Sequence, residues 1–470
     1  MRQVRLLMRV GALLVAALTL ALAAWFGINA TDEALSSEAK AAMSFPPAPP
    51  PSEKNGFMDF LALGAAEGAL TYEVALRQLQ ALNNQKPGGR PELPSSDFPG
   101  VRIDEHTPQC RPADSSCLDA AAGYPRLQDL IDSHRVFLAR YRAMREKPEF
   151  INLFVSSSPE DSLPAYQEIF QGSRLSMLAA AVRFNAGDRA GAIQELEKEN
   201  AFHRRMAAQS RTLIDKMISY AALDRDAMFV AELAREISPD EIALWRRLEA
   251  LVRAPTRDEL DVAPSLKQDM ASAVRWMQTR RYVRLPDSFY EYEKSLPGSI
   301  GTRPWWDPFA PYLYRPHQSV NLYAARARTT LAVAERPSTE FFKASDVARE
   351  RMRALEPGIL WGAILNPVGR NHYHLRGDFS DYIARMHAFA GVQRLVHLQV
   401  MLRATGISKP EEVLAALAGP LGRSHLDPFT GKPMRFDART RTIGFDTQLK
   451  YISGPARALV ERYGRMALPL

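Results

Sequence analysis

Hydrophobic and polar positions divide the chain into unlike stretches. From Val10 to Ile28 there is no charge and no proline, and Thr19 is the only polar side chain. A helix over these 19 residues reaches about 28 Å, close to the hydrocarbon thickness of a bilayer. Further on, apolar positions recur at helical spacing. Leu175, Leu178 and Val182 stand at i, i+3 and i+7, as do Trp245, Leu248 and Val252, and Val230, Leu233 and Ile237. Ser238-Pro239-Asp240-Glu241, Thr256-Arg257-Asp258-Glu259 and Ser408-Lys409-Pro410-Glu411 each offer a hydroxyl N-cap with proline or acid in the first turn. Near the C-terminus the period changes to two, and Met434 and Phe436 share a face with Ile443 and Phe445 across a short hairpin.

These patterns predict a mainly α chain. Its helix hairpins stack antiparallel, as a bundle or a short irregular solenoid, with an N-terminal transmembrane helix and a small C-terminal β-hairpin. The expected organisation is a cytoplasmic tail over 1–9, a transmembrane signal anchor over 10–28, and a helical stalk with a Pro-rich spacer over 29–54. An α-helical ectodomain follows over 55–425, then a β-hairpin and closing helix over 426–470. Within the stalk, Thr31 to Met43 is expected to continue the helix until Pro46-Pro47-Ala48-Pro49-Pro50-Pro51 stops it.

Charge refines this picture. The formal net charge of +7 looks basic, but Arg2, Arg5 and Arg9 all precede the first acid, Asp32. Without those three arginines, 57 basic residues face 53 acidic ones, so the excess is largely a topology signal and no nucleic-acid partner is expected. The arginines hold residues 1–9 on the cytoplasmic side, and Trp25 and Phe26 fall where an outer interfacial belt sits. Ala21-Leu22-Ala23 also fits a leader-cleavage pattern, although the apolar run continues past it to Ile28. Either reading sends the bulk of the chain out of the cytoplasm. Cys110 and Cys117 are the only cysteines, and in an oxidising compartment so close a pair reads as a local disulfide.

Two resemblances follow from particular residues. Ala179 to Leu196, with small residues on a first helix, a Gly187-Asp188 turn and Ala192 on a second, resembles half of a tetratricopeptide repeat. The phrase Asp427-Pro428-Phe429-Thr430-Gly431-Lys432-Pro433 is similar to one near the C-termini of many exported bacterial proteins. Taken with Asn55-Gly56-Phe57 and Trp361-Gly362-Ala363-Ile364-Leu365-Asn366-Pro367, the chain resembles a family of bacterial single-pass, mostly helical envelope proteins that has no assigned activity. The resemblance implies a fold and a place in the bacterial inner membrane, with the C-terminal bulk in the periplasm, and it implies no activity and no cofactor.

Candidate chemistry is sparse. Gly431-Lys432 is followed by Pro433 and position 426 is Leu426, so no phosphate loop is formed there, and no G-x-S-x-G, H-E-x-x-H or G-x-G-x-x-G motif occurs. The densest polar cluster contains Arg370, His372, His374 and Asp378. His372 and His374 face one side only if the segment is extended, and no third convergent metal ligand is specified. Trp305 and Trp306 lie in an aromatic, proline-rich stretch over 284–318 that reads as a long loop held by its own rings, or as a binding groove. His387 and His397 read as helix-face residues without a chemical signature. The expectation is a non-enzymatic scaffold or assembly protein that meets another envelope protein. The alternative is a periplasmic hydrolase built around Arg370, His372, His374 and Asp378.

Overall fold

A computed structural model describes residues 2–44, 46–85, 116–124, 126–154, 161–279, 307–355, 364–369, 379–447 and 466–470. Among them are 19 α-helices and one small sheet. In chain order the first helices are α1 (Arg2–Ala30), α2 (Ser37–Met43), α3 (Gly56–Leu61), α4 (Thr71–Asn83), α5 (Cys117–Gly123), α6 (Leu127–Ser133) and α7 (Arg135–Arg145). Then come α8 (Gln167–Asn185), α9 (Arg189–Gln209), α10 (Leu213–Glu236), α11 (Ile242–Leu251), α12 (Arg257–Leu260) and α13 (Ala263–Thr279). The last are α14 (Ala310–Leu313), α15 (Pro316–Ala334), α16 (Phe341–Ala354), α17 (Ser380–Ala404), α18 (Pro410–Ala418) and α19 (Pro420–Ser424). Strands β1 (Arg435–Asp437), β2 (Thr442–Phe445) and β3 (Met466–Pro469) form an antiparallel sheet in that order.

The chain divides into two compact units. The first comprises Met1–Phe45, Met270–Ala332 and Asp346–Asp378. Helix α1 is long and apolar enough to cross a membrane, and its most apolar window is not buried by protein at all. Its last turn, by contrast, is tied down. Trp25 Nε1 and Asn29 Nδ2 both donate to the Ile364 carbonyl at 2.9 Å, and Asn29 Oδ1 accepts the Asn366 N–H at 2.7 Å. Phe26 packs against the rings of Phe309 and Tyr312. Asn366 has φ +49°, a left-handed conformation that asparagine tolerates better than most residues. From there its side chain accepts the N–H groups of Arg315 and Gly369 and donates to Ser319. Asn366 therefore knots the end of α1 to the start of α15.

Residues 31–36 are not helical, contrary to the continuous stalk expected from composition. The segment leaves the helix, and its polar groups serve α15. Asp32 accepts the N–H groups of His317 and Gln318, where the positive end of the helix dipole favours a carboxylate. Asn321 holds the Glu33 carboxylate, the Ala34 carbonyl and the Ser36 N–H, and Arg328 pairs with Glu38 of α2. The expected aromatic loop also holds helix, since α14 and the start of α15 lie within it. Among its described rings, Phe309 and Tyr312 touch Phe26 of α1 and Tyr314 Oη donates to the Met277 carbonyl, while Trp305 and Trp306 lie outside the described residues.

The second unit comprises Pro46–Asp269, Val333–Ser345 and Phe379–Leu470. Pro46 and Pro47 do not stand free, because their carbonyls accept hydrogen bonds from Arg211. An aromatic core of Phe57, Phe60, Tyr141, Phe150, Tyr166 and Phe202 joins α3, α7, α8 and α9. Gly172 is required on α8 because a Cβ there would lie 2.3 Å from the Tyr141 ring. The tetratricopeptide-like segment forms the α8–α9 hairpin, with Gly187 at φ +89° and Asp188 capping α9 through the Gly191 N–H. Tyr220 of α10 stacks on Phe389 of α17 at 4.4 Å between ring centroids.

The three anticipated helix caps have different outcomes. Thr256 and Glu259 form a reciprocal capping box on α12. Pro410 opens α18, but Ser408 does not cap it. Helix α11 begins only at Ile242, because Ser238 to Glu241 closes a turn of its own in which Glu241 accepts the Ser238 N–H. The hairpin forms with Phe436 opposite Ile443, and Ile443 and Phe445 are fully buried. Strand β3 (Met466–Pro469) completes the sheet on the edge of β2, and the stretch between them, on which the expected closing helix falls, lies outside the described residues.

Candidate functional site

A concave site in the second unit is built on α9, where Glu197, Asn200, Ala201, Arg204, Arg205 and Ala208 follow one another at helical spacing. Opposite them stand Ala250, Leu251 and Arg253 at the end of α11 and Glu259 of α12, and together they border an open concavity of about 510 Å³. Arg204 is 95% buried and rigidly placed. It donates Nε to Asn200 Oδ1 at 2.8 Å, Nη1 to Glu259 Oε2 at 2.9 Å, and Nη2 to the carbonyls of Leu251 and Arg253 at 3.0 Å each. Glu259 also receives Arg253 at 2.8 Å and the Thr256 N–H at 2.8 Å, so one carboxylate serves two guanidiniums and a helix cap. Glu197 is gripped bidentately by Arg247, at 2.7 and 2.8 Å. Burial lowers the pKa of Arg204 despite its contact with Glu259, and burial likewise lowers that of Arg205.

Behind this wall a buried polar chain runs through the helix bundle. Asn200 reaches Asp226 at 3.5 Å, Asp226 holds His203 Nδ1 at 3.0 Å, and His203 Nε2 lies 3.4 Å from Glu199. Glu199 accepts the Tyr141 hydroxyl at 2.5 Å and pairs with Arg145, which also binds Glu195 at 2.7 Å and Ser176 at 3.0 Å. Burial alone would push the Glu199 carboxyl up, but Arg145, His203 and Tyr141 bring it below the ordinary carboxylate range. These groups are sealed from solvent, so they position helices rather than meet a substrate.

Trp305, Trp306, Arg370, His372, His374, Asp378 and Cys110 lie outside the described residues. Cys117 is fully buried in the first turn of α5, where Glu232 accepts its N–H and that of Leu118. His397 and His387, for which the sequence predicts only a place on a helix face, have specific settings. His397 Nδ1 lies 2.7 Å from His425 Nε2, and its Nε2 is 3.7 Å from Glu249. His387 is buried between the rings of Phe341 and Phe429, and burial, with a smaller contribution from Arg394, pushes its pKa down to about 4. The arginine pocket was missed altogether. Its signal was the polar stripe from Glu197 to Arg205, which reads as a solvated face until α11 and α12 cover it.

In comparisons with known proteins the chain matches no family model, no curated protein and no solved structure. Function is therefore argued from the residues of the chain itself.

Proposed function

We propose that this chain is a membrane-anchored helical protein of the bacterial envelope that binds other molecules as a scaffold or assembly factor. The observation that carries the reading is the contrast along α1. Its surface from Val4 to Leu20 exposes Val4, Leu6, Leu7, Leu13, Leu14, Leu18 and Leu20, while Trp25 and Asn29 are hydrogen-bonded into the folded unit. Bare leucines on a helix joined to a folded body suit a lipid environment, since water would leave that area unburied. Arg2, Arg5 and Arg9 favour retention of the N-terminus in the cytoplasm and of the bulk in the periplasm. The helix is unbroken through Ala21–Ala23, which supports an anchor that is retained. The resemblance to single-pass envelope proteins agrees with this reading. A binding role suits the pocket, whose two carboxylates are both taken up in ion pairs with arginines.

The test is expression of the full chain in a bacterium, followed by alkaline carbonate extraction of the membranes and mass spectrometry of the N-terminal peptide. The expected product stays in the membrane, keeps residues 1–9, and is digested by protease added from the periplasmic side. A soluble product beginning at Ala24 refutes the anchor. Crosslinking in intact cells tests the scaffold role, and a chain that crosslinks to nothing counts against it.

A further inference from the structure

We propose that the pocket between α9 and the α11–α12 corner binds a small organic oxyanion, a phosphate- or carboxylate-bearing molecule, through Arg205 and Arg253. The argument begins with charge. Arg204, Arg205 and Arg253 line the pocket, and its two carboxylates are Glu197 and Glu259. Glu197 is already neutralised by Arg247, which grips both of its oxygens. Glu259 is then the one lining carboxylate left for three guanidiniums, and it contacts Arg204 and Arg253 at once. Two positive charges in the concavity lack a matching carboxylate among the described lining residues.

Arg205 sharpens the point. Its Nη2 donates to the Arg145 carbonyl, while its buried Nε has no hydrogen-bond partner among the described residues. Glu146 acts on it only from an exposed position, and is itself paired with Lys198. A charged group held partly out of water without a counter-charge is costly, and a bound anion removes that cost. A guanidinium presents a planar fork that fits the two oxygens of a carboxylate or phosphate, so the chemistry of the wall names the ligand class.

The remaining surface suits a small molecule. Ala201, Ala208, Ala250 and Leu251 supply an apolar floor for a short carbon skeleton, and about 510 Å³ is within the ordinary range of ligand sites. Arg204 is a positioning residue. Its hydrogen bonds fix it, and it holds the Leu251 and Arg253 carbonyls in place so that Arg253 is already set before binding. Arg253 is about half exposed and Arg205 half-buried, so both are accessible to a ligand. This inference stands apart from the membrane anchor, because every residue in it belongs to the second unit.

The experiment uses the purified full chain in detergent. Calorimetric titration and thermal unfolding are measured with inorganic phosphate and, separately, with succinate, at ionic strength held constant with chloride. The expected result is saturable one-to-one binding of at least one anion and a rise in unfolding temperature beyond that in chloride. Tighter binding of phosphate assigns a phosphoryl ligand, and tighter binding of succinate a carboxylate. R205Q and R253Q should each weaken binding about tenfold or more, whereas R142Q, which alters an arginine outside the pocket, should not. R205K and R253K keep the charge but lose the fork, so reduced binding with an unchanged unfolding temperature without ligand separates recognition from folding. Failure of both anions to bind above the chloride baseline overturns the proposal, as does equal binding by R205Q, R253Q and the parent chain.

Discussion

Replacing Arg145 with methionine probes the polar centre of the second unit. The Arg145 side chain is 1% exposed and binds Glu195, Glu199 and Ser176, so it joins α7 to α8 and α9. Methionine has nearly the same length but leaves Glu199, itself 1% exposed, with only Tyr141 and His203. Removing one partner of a buried pair costs about 3–5 kcal/mol, because the other charge stays buried. At about 2–4 °C per kcal/mol for a unit of this size, unfolding should begin roughly 10 °C lower. R145M/E199Q should recover part of that loss, with a coupling energy of about 1–3 kcal/mol. The pH dependence adds a second readout. In the parent chain the Glu199 pKa is depressed, so its contribution is present above the unfolded carboxylate pKa and is lost as pH falls through the folded value. Without Arg145, burial raises that pKa, so the deficit of R145M should shrink on acidification as Glu199 takes up a proton. Guanidinium unfolding of the full chain in detergent, followed by far-UV circular dichroism at pH 8 and pH 5, measures both effects. A loss below about 1 kcal/mol, or strictly additive costs in the double variant, would show that the network carries little of the stability.

Three further outcomes follow from other residues. Because burial holds His387 at about 4, the unfolded chain takes up its proton first, so stability should fall as pH drops from about 6.5 to about 4, by up to roughly 3 kcal/mol. H387L should flatten that part of the profile, and an unchanged slope in thermal melts would rule His387 out as its source. G172A should destabilise by about 1–3 kcal/mol or more, since its methyl group meets the Tyr141 ring, and pairing it with Y141L should relieve most of the cost in denaturant titrations. N29A removes the bonds to Ile364 and Asn366, so limited proteolysis of membrane vesicles should cut faster within residues 31–36; an unchanged rate would mean that Trp25 and Phe26 hold the helix end by themselves.

Much of the local structure was legible in the order of residues. The uncharged run from Val10 to Ile28 is helical because nothing within it competes for the backbone, and the arginines before it carry its topology signal whatever the rest of the chain does. Thr256 and Glu259 cap α12 because both partners lie within one turn, and Phe436 meets Ile443 because a short turn sets the register. Periodicity reports a buried face from a few neighbouring residues, and such evidence suffices for helices and a hairpin. It fails where a partner is distant. Residues 31–36 are not helical because α15, almost 300 positions away, takes their polar groups, and β3 is a strand because β2 has an open edge. His397 acquires a function-like setting only when His425 and Glu249 are brought to it.

The same division applies to the site. Composition shows many arginines, but not which of them share a cavity or lack a counter-charge. Arg204 meets Glu259 55 positions away, and Asn29 of α1 meets Ile364 335 positions away. The sequence by itself determined that the chain is mainly helical and begins with an apolar helix long enough to cross a bilayer, since both follow from interactions a few residues apart. Only the tertiary structure decided that the end of this helix is knotted to Asn366, and that Arg204, Arg205 and Arg253 share one pocket. Hydrogen bonds and charges act over a few ångströms in space, and the chain must fold before residues so far apart in sequence come within that reach.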